Sequence, residues 1–73
     1  MYLMVWSSKK NGTEKGHIRH AIFLNENSAN DYFNSWEQIG YSYVKLMGKE
    51  IKTMPANYIY YPQTYLGYPK EQL

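Results

Sequence analysis

The sequence predicts an α+β fold: a small antiparallel sheet in the order β-β-α-β-β, with room for a fifth short strand, and one amphipathic helix packed on one face. Three observations carry this. Two β-prone runs flank a polar stretch that contains Asn11-Gly12, the strongest short hairpin signal, because both residues accept positive φ. Apolar residues then recur at helical spacing from Ala29 to Ile39, the mark of a helix with one covered face. Two further β-prone runs surround Gly48-Lys49, with glycine first, as a type II′ hairpin turn prefers.

Taken in order, residues 2–7 form the first strand. Strict alternation puts Tyr2, Met4 and Trp6 on one face and Leu3, Val5 and Ser7 on the other. Residues 8–16 are a polar loop, and residues 17–24 return as the second strand, with Ile18, Ile22 and Leu24 sharing a face interrupted by His20. Ser28 is the expected helix N-cap, with Asp31 three residues on and Asn27 as the alternative cap. Ala29, Tyr32, Phe33, Trp36 and Ile39 make the apolar stripe over about three turns, and Gly40 supplies a left-handed end. Residues 41–47 are the third strand, with Val44 and Leu46 inward and Tyr43 and Lys45 outward. Residues 50–54 pair back as the fourth, stopped by Pro55. A short fifth strand fits Tyr58-Ile59-Tyr60, and Pro62, Gly67 and Pro69 break anything longer.

Composition bounds the rest. A chain of 73 residues allows one domain, with a thin core. Residues 1–56 are expected to form it and residues 57–73 a Tyr/Pro-rich extension that packs on the domain or on a partner. There is no cysteine, which excludes disulfides and cysteine-based zinc sites. Leu, Ile, Val and Phe together number only 14 of 73, so either aromatic rings build part of the core, or the tyrosines lie on the surface and the core is very small. The opening apolar run is too short for a signal-peptide core or a membrane span, and the cytoplasm is the default compartment. Net charge is +2, which permits nucleic-acid contact without demanding it.

Nine residues are tyrosine, and five of them fall between positions 58 and 68. A ring that is apolar with a polar tip suits surfaces that are wet when free and dry when bound. The leading expectation is therefore a protein-binding module of inhibitor or adaptor type. It would contact a partner of unknown identity through Tyr58, Tyr60, Tyr61, Tyr65 and Tyr68, with Tyr43 and Trp6 as additions. Open sheet edges make a homodimer the companion expectation. The alternative is a single-stranded nucleic-acid binder that grips phosphates through Lys9, Lys10, Lys15 and Arg19 on the hairpin loop and stacks bases on exposed aromatics such as Tyr2, Trp6, Tyr41 and Tyr43.

His17 and His20 are three apart and point to opposite faces of a strand, with no cysteine to complete a ligand set, so no metal is expected. His20, between Ile18 and Ile22, needs a hydrogen-bond partner. No glycine-rich phosphate loop, nucleophile motif or carboxylate pair stands out, so neither catalysis nor a cofactor is expected. In length, element order and Asn/Tyr/Lys-rich composition the chain resembles short accessory proteins of phages and low-GC bacteria. That resemblance implies a stoichiometric binder of a host protein.

Overall fold

The computed structural model describes residues 1–12, 15–61 and 66–69. Strand β1 (Tyr2–Lys10) follows the expected alternation and runs past Ser7 to Lys10. Tyr2, Met4 and Trp6 are buried, and Leu3, Val5 and Ser7 are half-buried, as in a strand covered mainly on one side. It pairs antiparallel with β2 (His17–Phe23), from Tyr2↔Phe23 to Ser8↔His17. Gly12 at the hairpin tip takes a left-handed φ of 92°, whereas Asn11 keeps a negative φ, so within this pair the glycine supplies the left-handed step. The Asn11 backbone N–H donates to the Gly40 carbonyl at 2.7 Å, which ties the tip to the far end of the helical segment. Leu24, expected on the β2 face, lies beyond the strand and is exposed.

The helix, α1 (Glu26–Asn34), begins ahead of the expected cap. Asn25 is the N-cap, and its Oδ1 accepts from the Ser28 backbone N–H at 2.8 Å. Asn25 thus caps the helix, and Asn27 and Ser28 sit inside the first turn. α1 ends at Asn34, and a single 3₁₀ turn (Glu37–Ile39) closes on Gly40 at φ 83°. The left-handed end stands where expected, but the α-helix does not reach it. The stripe therefore loses its last member, and Ile39 turns out to solvent.

β3 (Tyr41–Glu50) departs most from expectation. It runs straight through Gly48-Lys49, and the chain bends only at Lys52 and Thr53, so neither the tight turn nor a strand over 50–54 forms. Gly48 opposes Met4, and a Cβ there would collide with the Tyr2 hydroxyl. The glycine is a notch for a tyrosine ring. The Tyr2 Oη accepts a hydrogen bond from Lys45 Nζ at 2.9 Å. The β1–β3 register shifts between Val5, which faces Met47, and Trp6, which faces Lys45. Leu46 is the extra residue, and a bulge of this kind inverts the facing of everything beyond it. Tyr43 consequently packs inward, stacked on Phe33 at 4.3 Å between ring centroids. Val44 and Leu46, expected inside, are exposed.

Two short strands, β4 (Tyr58–Tyr60) and β5 (Gly67–Pro69), complete an antiparallel sheet of order β3-β1-β2-β5-β4. β4 is the short strand expected at 58–60, and β5 adds one where only breakers were read. Because β3 and β4 are opposite edges, residues 51–57 must cross the whole sheet. Four strand spacings make about 19 Å, and seven extended residues reach roughly 23 Å. The crossing carries Met54 against Gly67, within 3 Å of where a Cβ would stand.

The core lies between α1 and the sheet: Tyr2, Met4, Trp6, Ala21, Phe23, Ala29 and Phe33, with Tyr32, Trp36 and Tyr43 packed against it. Trp6 meets Phe33 edge-on at 4.8 Å and Trp36 at 6.1 Å. Such pairs contribute about 0.5–1.5 kcal/mol each beyond their buried area, which helps a chain poor in aliphatic residues hold one thin core. The result is an α+β domain with one helix on a five-stranded sheet.

Candidate functional site

Opposed residues of an antiparallel pair share a face, so the register sorts the sheet into two surfaces. On the face away from α1, cross-strand rows read Ile18–Ser7–Val44, His20–Val5–Met47 and Ile22–Leu3–Lys49. Tyr60 joins this face through Gly67, which pairs with both Tyr60 and Ile22. At the β5 end the face is closed, with Ile22, Gly67 and Pro69 buried. Elsewhere it is bare. Ile18 is 67% exposed, Val44 65% and Tyr60 68%, with Leu46 and Met47 exposed beside them. Large apolar side chains grouped on one face are costly to leave wet and mark contact surfaces.

The expected tyrosine surface is divided. Tyr58 is half-buried, and its hydroxyl meets His20 Nδ1 at 2.9 Å, which gives that histidine the partner its position calls for. Tyr68 is half-buried and sits edge-on to Tyr61 at 5.2 Å. Tyr60 and Tyr61 are exposed. Tyr65 and Pro62 lie outside the described residues. Tyr43 is committed to Phe33. Trp6, only 4% exposed, is core, as is Tyr2, so neither ring is open to a partner or a base. Bulky aliphatic residues of β2 and β3 thus supply most of the exposed apolar surface of the sheet, whereas the tail tyrosines were the expected contact residues.

The face that bears α1 is covered only along part of its length. Beyond Trp6 it continues with Ser8, His17 and Arg19, and with Tyr41 opposite Lys10 and Tyr43 opposite Ser8 on β3. There the structure brings together all four cations singled out in the sequence. Lys9, Lys10, Lys15 and Arg19 line one cavity of about 420 Å³ with Ser8, His17 and Tyr41. His17 and His20 lie on opposite faces, as their odd spacing requires. Among the described residues no three His, Cys, Asp or Glu side chains cluster as a metal site, and no helix is long and apolar enough to cross a membrane.

Two titrating groups belong to the core side. Lys45 is held above its ordinary range by its hydrogen bond to the Tyr2 hydroxyl, and burial pushes the Tyr32 phenol up. Both fasten structure. The missed contributors, Ile18, Val44 and Met47 on one surface and His17 on the other, carry no motif, and strand pairing alone assembles them. No protein-family model, no curated protein and no solved structure matches this chain.

Proposed function

We propose that this chain is a small protein-binding module that works by occupying a partner's surface, as an inhibitor or adaptor does. The contact surface is the bare part of the sheet: Ile18, Val44, Leu46 and Met47, with Tyr60 across the closed strip. One observation carries the reading. Five large apolar or aromatic side chains stay exposed on this sheet while aromatic rings alone fill most of the core. The outer edge of β3 supports a face contact over strand addition. The bulge at Leu46 and the side chains of Lys45 and Lys49 are devices that keep an edge from pairing, which works against a homodimer built edge to edge.

The test compares tagged wild type with Val44→Asp/Met47→Asp, both captured from nuclease-treated lysate. The reading expects one protein retained by wild type and lost from the double variant, with unchanged circular dichroism. Retention of the same protein by a folded double variant would sink it.

A further inference from the structure

We infer that the hairpin end of the helix-bearing face binds single-stranded nucleic acid, with phosphate in the basic cavity and a base in the cavity beside it. The chain has eight Lys and Arg residues, and four of them line the one cavity. No carboxylate stands among its described lining residues. Lys15 lies on the loop, Lys10 at the end of β1 opposite Tyr41 and Arg19 on β2, with Lys9 beside Lys10, so cations of three segments line the cavity. Such a group neutralises an anion better than any single lysine does. Arg19 adds a planar fork suited to phosphate oxygens.

A basic cavity alone does not choose between nucleic acid and an acidic peptide. Its neighbour does. A second cavity of about 330 Å³ shares Tyr41 as a wall and is lined otherwise by Asn11, Asn34, Ser42, Glu37, Phe33 and Tyr43. Here the chemistry is flat and largely neutral. The Asn11 and Asn34 amides each donate and accept, which matches the edge of a base. Glu37 repels phosphate and can accept from a base N–H, such as the N3–H of thymine. Tyr41 is 39% exposed and its ring meets that of Trp36 at 5.7 Å between centroids, so it offers a stacking platform between the two cavities. Cation-lined and amide-aromatic compartments on either side of one tyrosine fit the alternation of phosphate and base along an unpaired strand. A run of acidic side chains leaves the second compartment unused. This surface is on the opposite side of the sheet from the apolar face, so the inference stands or falls separately from the protein-binding reading.

The experiment is fluorescence anisotropy with the full chain and three labelled probes: oligo-dT of about 12 nucleotides, an abasic strand of equal length and a polyglutamate peptide. Oligo-dT should bind most tightly. Its affinity should fall with salt at a log–log slope of about −2 to −3, as three or four neutralised phosphates predict for a single strand. Lys10→Glu/Arg19→Glu should abolish binding. Tyr41→Ala should weaken oligo-dT about tenfold, the loss of one stacked base, and leave the abasic strand unchanged. All three positions are exposed, and circular dichroism confirms that the variants fold. Three results overturn the inference: no salt-dependent binding of oligo-dT at about 50 mM salt, polyglutamate binding as tightly as oligo-dT, or Tyr41→Ala without effect on oligo-dT.

Discussion

The two faces of this sheet are built from different kinds of side chain. Toward α1 the strands present Tyr2, Met4, Trp6, Phe23 and Tyr43, and the helix answers with Phe33, Tyr32 and Trp36. Away from it they present Leu3, Val5, Ile18, Val44 and Met47. In an isolated domain the branched aliphatic residues are usually the ones buried. Here rings fill most of the inside, while Ile18, Val44 and Met47 are left wet outside and Leu3 and Val5 are half-buried. A nine-residue helix covers only one face, and seven residues of crossing chain close only the β5 end of the other. The contrast teaches that, among the described residues, the apolar content exceeds what the helix and the crossing chain bury, and the proposed protein-binding reading rests on that surplus.

The contrast can be broken most severely from the ring side. Trp6→Ala should cost about 3–5 kcal/mol, comparable to the whole stability of so small a domain, and urea titration should find the variant largely unfolded. Gly48→Ala comes next. Its Cβ meets the Tyr2 hydroxyl, and an overpacked site costs about 1–3 kcal/mol. Tyr2→Phe in the same background should recover part of that loss, which a double-mutant cycle reads directly. On the other face, Ile18→Ser and Val44→Ser should each change unfolding free energy by no more than about 0.5 kcal/mol. A larger loss at either would mean that the bare face is core after all.

The smallest effect sharpens the ring side through pH. Tyr32 and Lys45 are both raised in the folded state, from 10.0 and 10.5 respectively. As pH climbs through those ordinary values the unfolded chain gives up protons first and so holds fewer than the native one. Stability must therefore decline with pH. It should be flat with respect to these two groups below about pH 9 and fall above pH 10. Tyr32→Phe should make the fall shallower, as followed by thermal unfolding across an alkaline series.

The first hairpin and the helix stripe were legible because local signals agree with the tertiary result. Alternation in β1 matches the covered face, and Gly12 and Gly40 stand where left-handed backbone is needed. β3 was illegible for a specific reason. Gly48 has the local signature of a turn, but its use is to make room for Tyr2, a residue 46 positions away. The bulge at Leu46 then reverses the facing of Tyr43 and Val44, and nothing within residues 41–50 announces it. The helix cap slipped because Asn25 and Ser28 are both competent, and the choice depends on where β2 ends. The basic cluster was readable, since its members are close in sequence. Tyr41, which walls both cavities, reaches them only through its pairing with Lys10. The bare aliphatic face was hidden for the same reason: it draws on three strands and becomes a surface only once their register is known.

The most direct test of the account places a photo-crosslinking amino acid at Met47, on the bare face, and in a separate variant at Asn30, exposed on α1. The account predicts one discrete crosslinked protein from Met47 and none from Asn30. Crosslinking of equal strength from both positions, or none from Met47 where wild type captures a partner, would contradict it.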